Sequence, residues 1–357
     1  MAVRIEDIDK GKLEELQGKM VGDVAGGLGI LMAYIGDQLD LYSALAEICP
    51  ATSEDLAKST GLKERYVREW LSANAAAGYV TYDPVKKAYG MTPEQAVIFA
   101  LEGHPDCMQG FFQAVVSVFL DEQRATKAIR TGVGIPWGDH STCLFCGTER
   151  FFRPMYAANL IASWLPALDG VTAKLKSGAR VADVGCGHGS STILMAQAYP
   201  NSTFHGFDFH GPSIDHARER ARSAGVARNT VFEVVTAKEF PGENYDLIAI
   251  FDALHDMGDP VGACRHIAGS LADDGTFMLV EPMAGDALED NLHPLGQIYY
   301  AFSTSVCVPN SLSQEVGLAL GAQAGEKRLT EVLKQGGFGH VRRAAETATN
   351  IVLEARV

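Results

Sequence analysis

Asp183, Gly185, Gly187 and Gly189 stand at alternate positions in a D-x-G-x-G-x-G run, and Asp208 follows roughly 20 residues later. These residue types suit one kind of chemistry. Glycine lets a chain turn sharply and lets a ligand approach the backbone closely. A helix starting at Ser190 presents unpaired N–H groups to that ligand. An acid at the distance of Asp208 can accept both hydroxyls of a ribose. The run therefore predicts a crevice for a nucleotide-type ligand. It does not meet the dinucleotide fingerprint G-x-G-x-x-G, whose last glycine position is held by Ser190. A nicotinamide dinucleotide or no ligand at all stays open on these residues alone.

The elements that would position them alternate as a parallel α/β sheet requires. Strands are predicted at 180–184, 203–208, 230–234, 245–250 and 276–281, and helices at 190–199, 212–224 and 260–272. The stretch 284–325 is too long for a plain connection. Helical pieces at 295–303 and 318–323, with Tyr299 and Tyr300, suit a lid. Two last strands, 338–344 and 350–355, close the chain. Residues 96–165 read as helical and rich in aromatics (Phe111, Phe112, Phe119, Trp137, Phe145, Phe151, Phe152, Tyr156). Most of these would be core, and some would line an apolar pocket between two domains.

With its alternate glycines, its later acid and its terminal strand pair, the chain resembles the class I S-adenosylmethionine-dependent methyltransferases. The resemblance implies an α/β fold, a Rossmann-like seven-stranded methyltransferase sheet behind an N-terminal all-helical, winged-helix domain. It implies that Asp183, Gly185, Gly187 and Gly189 cradle S-adenosylmethionine, that Asp208 holds its ribose and that Phe209 packs on the adenine. Thr236 and Ala237 would also border the adenine, where many relatives carry an acid, and Phe251 and Asp252 would flank the cofactor. The segment from Ile250 to Pro260 is similar to the Leu-His-Asp-Trp segment of small-molecule O-methyltransferases, with Met257 in place of the tryptophan. That likeness makes His255 the base that takes a proton from the acceptor hydroxyl. Methyl transfer is an in-line displacement at a sulfonium and needs no metal when the nucleophile is positioned and deprotonated. A histidine titrating near pH 6.5 can serve if a carboxylate fixes its tautomer, and Glu281 or Asp256 could do so. His210 and His293 are weaker candidates.

Towards the N-terminus, apolar residues at helical spacing (Leu28, Leu31, Met32, Ile35, Leu39, Leu45) are followed by a Thr52/Ser53 cap, a break at Gly61 and a second helix carrying Tyr66, Val67, Trp70 and Leu71. Short β-prone pieces at 79–82 and 88–91 complete a winged helix. Lys63, Arg65 and Arg68 could enter a DNA groove, but Glu64 and Glu69 interrupt them and base-reading Asn or Gln pairs are missing. In the small-molecule O-methyltransferases that the chain resembles, a similar winged helix serves for dimerisation and for covering the active site.

The 357 residues have room for two domains. The expected division is 1–95 for the winged helix and dimerisation, 96–165 for a helical linker and substrate-pocket segment, and 166–357 for the cofactor-binding domain with its lid at 284–325. With 47% hydrophobic and 21% charged residues the chain is globular rather than disordered. A net charge of −14 argues against a broad phosphate-binding surface. No apolar run approaches the roughly 20 residues of a bilayer span, and the charged opening segment lacks a signal peptide's apolar core. Seven cysteines without scaffold spacing point to reduced thiols. Cys143 and Cys146, even with His140 nearby, lack the ligands of a zinc site, so no metal is expected.

The resemblance implies a homodimeric enzyme that transfers a methyl group from S-adenosylmethionine, releasing S-adenosylhomocysteine, to O or N of a small apolar or aromatic molecule, and the composition suits the cytoplasm. It would work without nucleic acid or membrane. The competing reading is an S-adenosylmethionine-responsive regulator that binds DNA through the winged helix; a gel shift separates the two.

Overall fold

A computed structural model describes residues 5–357; residues 1–4 of the charged opening segment lie outside the described residues. The chain divides into two compact units, Met1–Val116 and Ser117–Val357.

In the first unit, α1 (Lys10–Gln38) and α2 (Leu41–Ile48) are separated where Asp40 takes a left-handed φ of 54°. α3 (Ser53–Thr60) opens with a capping box between Thr52 and Asp55 and stops at Gly61, whose φ of 72° suits glycine. α4 (Glu64–Ala76) follows, then the wing, β1 (Thr81–Asp83) antiparallel to β2 (Ala88–Gly90), and α5 (Pro93–Phe99). Tyr42, Trp70 and Phe99 form the aromatic centre of the core, with ring centroids 4.8–4.9 Å apart. α1 meets this core through small residues. A Cβ on Gly36 would lie 2.5 Å from Trp70 and 2.6 Å from Tyr42, so only glycine permits that approach.

The apolar stripe of α1 mostly faces outward. Residues 10–26 are exposed throughout, and so are Leu28 and Leu31. At 29 residues α1 is also long and apolar enough, by length and composition, to cross a membrane. Counting only uninterrupted apolar runs missed this, because Asp23 and Asp37 punctuate the helix.

The chain enters the second unit within α6 (Gln109–Leu120) and continues through α7 (Glu122–Thr131), α8 (Thr142–Asn159) and α9 (Val171–Ser177). Then come β3 (Arg180–Val184), α10 (Ser190–Ala198), β4 (Thr203–Asp208), α11 (Gly211–Ser223), β5 (Thr230–Val234) and β6 (Tyr245–Phe251). α12 (Pro260–Ser270) leads into β7 (Leu271–Pro282). α13 (Pro294–Phe302), a π turn at Ser303–Cys307 and α14 (Val308–Leu312) precede α15 (Gly325–Gln335), β8 (His340–Glu346) and β9 (Asn350–Arg356).

The seven strands lie in the order β5-β4-β3-β6-β7-β9-β8. The first five are parallel; β9 runs antiparallel to both β7 and β8. Helices cover both faces, which is why the central strands are apolar without alternation. One face packs Trp164, Leu175, Met195 and Ile214, the other Ile267, Leu329, Val332 and Phe338. Each such side chain contributes about 1.5–3 kcal/mol by leaving water. The strand order reverses between β3 and β6, where a ligand crevice opens at the strands' carboxyl ends.

Two details differ from the sequence reading. β7 begins at Leu271 rather than 276, pairing with Tyr245 before a register shift. Residues 318–323 are not helical: Val316, Gly317, Ala319 and Gly321 all take positive φ, which a helix cannot accommodate.

Candidate active site

The glycine turn after β3 takes φ of 76°, 51° and 75° at Gly185, Gly187 and Gly189. Its N–H groups bind it to the next strand. Gly185 and Cys186 both donate to Phe207 O, at 2.7 and 3.0 Å, and Gly187 donates to Asp208 Oδ2 at 2.9 Å. Gly185 and Gly187 face a cavity of about 510 Å³. Gly189 does not. Its missing Cβ makes room for Phe232 and Ala217, which would lie 2.9 and 3.0 Å away.

Asp183 is buried beneath the turn, off the cavity wall. Its Oδ2 accepts from Ser191 Oγ and Thr192 Oγ1, each at 2.6 Å, while Oδ1 has no partner. Burial pushes its carboxyl up to about 6. Asp208 lines the cavity, and its Oδ1 accepts from His210 N at 2.8 Å. Burial raises it despite the two backbone donors. Phe209, Thr236, Ala237, Phe251 and Asp252 also line the cavity. Asp252 takes a left-handed φ of 49°; its Oδ1 accepts from Asn350 at 2.7 Å and its Oδ2 from Tyr156 OH at 3.3 Å. Burial, reinforced by the charge of Glu281, pushes its carboxyl up to about 8.

His255 sits in the short turn after β6, with its ring buried. Glu281, on the neighbouring β7, holds that turn. Its Oε1 accepts from Leu254 N at 2.9 Å and its Oε2 lies 2.5 Å from His255 Nδ1. On the other side of the ring, Nε2 lies 3.3 Å from Asp256 Oδ1. Burial alone would lower the imidazole's pKa, but the charges of Glu281 and Asp256 outweigh it and hold His255 well above its usual value. Burial raises Asp256, opposed by His255. Cys307 Sγ joins them, so that one ligand-type atom from each of His255, Asp256 and Cys307 lies within 4.8 Å of the others. Asp256 lines the cavity; His255 and Glu281 stand behind it. α14 clamps this turn from above: Asn310 Nδ2 donates to Asp256 O at 3.2 Å and Ser311 Oγ to Met257 O at 2.8 Å.

The other predicted groups fall as follows. Trp137, Phe145, Phe152 and Tyr156 form an aromatic wall, and every lining residue belongs to the second unit. Tyr299 and Tyr300 are not on the wall; Tyr299 donates to Thr349 O instead, and the stretch 284–325 contributes Asn310, Gln314 and Glu315. His293 caps α13 and His210 is bound to Ser213 Oγ at 2.8 Å. The sequence reading missed Glu149, which accepts from Ser190 Oγ and pairs with Arg220, both at 2.8 Å, and it missed Asn350. A lone Glu in an aromatic helix and an Asn opening a strand carry no spacing signal. On α4, Arg65 is paired with Glu69 at 2.5 Å and Arg68 with Glu64 at 2.8 Å, so two of the three charges expected to meet DNA are matched within the helix.

Comparison with known proteins gives two family matches, a methyltransferase domain over residues 175–337 and an Rv2258c-like winged helix-turn-helix domain over residues 26–100. Among relatives, the 27-O-demethylrifamycin SV methyltransferase of Amycolatopsis mediterranei is 30% identical over 42% of this chain and 52% of its own length. The ubiquinone biosynthesis O-methyltransferase of Bordetella avium is 31% identical over 36% of this chain and 51% of its own. The chain thus matches about half the length of these relatives. Two solved structures share its fold from end to end. Mitomycin 7-O-methyltransferase has a TM-score of 0.72 at 17% identity, covering 98% of this chain and all of that one. Human N-acetylserotonin methyltransferase, solved with its cofactor, has a TM-score of 0.72 at 16% identity and covers 98% of both chains.

Proposed function

We propose that this chain, which carries a methyltransferase domain behind a winged helix-turn-helix domain, transfers the methyl group of S-adenosylmethionine to an oxygen of a small, apolar or aromatic molecule. One observation supports the cofactor above all. The lining of the cavity includes seven carboxylate residues (Glu149, Asp208, Glu239, Asp252, Asp256, Asp259 and Glu315) and a single lysine, Lys238. Such a wall repels a pyrophosphate and attracts a cofactor bearing a sulfonium and an ammonium. Gly185, Gly187 and Asp208 would hold its methionine and ribose ends, Asp183 would brace the turn, and Phe209, Thr236 and Ala237 would border the adenine. Phe251 and Asp252 would sit beside the sulfonium.

The acceptor would lie between the aromatic wall and the turn bearing His255. His255 and Asp256 act together as base: Asp256 faces the cavity, and His255, with Nδ1 bound to Glu281, supplies the basicity. The His255–Asp256 pair would take the proton of an acceptor hydroxyl held in line with the methyl group that S-adenosylmethionine would supply. The cofactor provides the activated methyl group.

The exposed stripe on α1 (Leu13, Leu16, Met20, Val24, Leu28, Leu31), repeating every three or four residues, supports a homodimer formed with a second copy. None of the seven cysteines forms a disulfide, which supports a reducing, cytoplasmic setting. The test is direct. Calorimetry should show S-adenosylmethionine binding, and methyl-labelled cofactor should pass label to members of a panel of phenols and hydroxyquinones. Binding of NADH in preference to S-adenosylmethionine would overturn the reading.

A further inference from the structure

Three donor groups of different chemistry converge behind the cavity wall, and the reaction sketched above draws on only two of them. His255 and Asp256 stand on the turn after β6, and Cys307 ends the π turn between α13 and α14. One ligand-type atom from each lies within 4.8 Å of the others, and His255 and Cys307 are buried. All three belong to the second unit.

The surroundings prepare each donor. Glu281 Oε2 lies 2.5 Å from His255 Nδ1, so the hydrogen of the neutral ring sits on Nδ1 and Nε2 keeps a bare lone pair. A carboxylate behind the second nitrogen is the usual device for orienting a metal-binding histidine and raising its basicity. Asp256 Oδ1 lies 3.3 Å from that Nε2 and is buried without a hydrogen bond. An unpartnered carboxylate oxygen is unfavourable to bury, and a bound cation relieves it. The backbone beneath is held as well. Asn310 Nδ2 and Gln314 Nε2 both donate to Asp256 O at 3.2 Å, and Ser311 Oγ donates to Met257 O at 2.8 Å. Asp256 also borders the large cavity, which gives an ion its way in and leaves a fourth position for water.

The donor set selects the ion. An imidazole nitrogen, a carboxylate oxygen and a thiolate suit a borderline-soft cation such as Zn2+, not Mg2+ or Ca2+, which take oxygen ligands. A tetrahedral zinc ion, with bonds of about 2.0–2.3 Å, sets its ligand atoms about 3.3–3.6 Å apart. The Nε2–Oδ1 pair already stands at 3.3 Å. We propose that His255 Nε2, Asp256 Oδ1 and Cys307 Sγ form a binding site for one zinc-type divalent cation, and that an ion there stops methyl transfer by occupying the groups that take the acceptor's proton. The stopping of the reaction rests on the methyl-transfer reading; the site does not. On binding, the thiol gives its proton to solvent, and three protein lone pairs replace waters on the ion. Carboxylate and thiolate together match its two positive charges, as a desolvated site requires.

The test uses the full chain, first stripped of metal by dialysis against a chelator. One Co2+ per chain should bind, with a sulfur-to-cobalt charge-transfer band in the near ultraviolet and the visible bands of a tetrahedral site. Zn2+ should displace it, and excess Mg2+ should not. Cys307→Ser, its fold checked by circular dichroism, should lose the charge-transfer band, while Cys143→Ser combined with Cys146→Ser should keep it. Glu281→Gln retains all three ligands and should weaken cobalt binding about 10–100-fold. A band that survives Cys307→Ser, a band lost with Cys143 and Cys146, or an affinity unmoved by Glu281→Gln overturns the site. With S-adenosylmethionine and a phenol that accepts label, saturating Zn2+ should lower wild-type kcat about a hundredfold, and chelator should restore it. Cys307→Ser should turn over at the wild-type rate and resist the same Zn2+ concentration. A rate that Zn2+ leaves unchanged or raises overturns the inhibition. Label transfer without the cobalt spectrum overturns the site and leaves methyl transfer standing. The cobalt spectrum without label transfer by the metal-free wild type overturns methyl transfer, and the inhibition with it, and leaves the site.

Discussion

Glu281 Oε2 lies 2.5 Å from His255 Nδ1, and the other oxygen of the same carboxylate accepts from Leu254 N. One buried side chain on β7 therefore fixes both the ring and the backbone of the turn that follows β6. The parallel pairing of these strands, Ile250 with Leu279 and Phe251 with Val280, brings the two sites together.

Removing the charge at Glu281 should weaken catalysis more than cofactor binding. His255 works as a base only when unprotonated, and Glu281 raises its pKa. The rate should therefore climb with pH on the alkaline side of neutrality in the wild type. In Glu281→Gln that limb should move to lower pH, with kcat at its plateau reduced about a hundredfold. A pH–rate profile with an accepted phenol decides this; an unmoved limb would refute the coupling. His255→Ala should keep S-adenosylmethionine binding and lose label transfer.

Asp252 should be a source of pH-dependent instability. Its folded-state carboxyl, at about 8, lies above its unfolded value of 3.8, so the unfolded chain releases its proton first. Stability from this group is present below pH 3.8 and declines as pH rises toward 8. Asp252→Asn should flatten the fall in Tm between pH 5 and 8 and raise Tm at the upper end. Cofactor affinity should drop at the same time, because the carboxylate that would face the sulfonium is gone. Binding to the wild type should release a proton, read by calorimetry in two buffers of different ionisation enthalpy.

Gly187 and Gly189 should respond differently to alanine. A Cβ on Gly187 meets nothing within 4 Å, but its φ of 51° is left-handed. Gly187→Ala should cost about 1–2 kcal/mol in stability and weaken cofactor binding, since the methyl enters the cavity wall. Gly189→Ala meets Phe232 and Ala217 as well as an unfavourable φ. It should cost about 2–5 kcal/mol, combining overpacking with backbone strain. Denaturant titration and cofactor titration of the two variants separate these effects.

The exposed stripe on α1 should hold the dimer. Leu16→Glu combined with Leu28→Glu replaces two outward-facing apolar residues and should convert the protein to a monomer without loss of secondary structure. Sedimentation velocity with circular dichroism reads both. A wild type that sediments as a monomer at micromolar concentration removes the dimer.

Alternate glycines and an acid roughly 20 residues later were enough to place the crevice, because turn geometry and ligand approach act locally and leave their mark on neighbouring residues. The strands at 180–184 and 276–281 were legible for a similar reason: strands buried on both faces carry apolar runs without alternation. The cap at Thr52 or Ser53 and the wing beyond α4 were equally local. What distance along the chain concealed, the fold decided. Asp183 and Gly189 belong to the motif, yet they brace the turn instead of lining the cavity, because Ser191, Thr192 and Phe232 reach them. The periodicity of α1 marked an apolar face without saying whether anything covers it. Glu149 and Asn350 carry no spacing signal at all. They arrive at the site from helices and strands far away in sequence, and only the packing of those elements brings their polar atoms together.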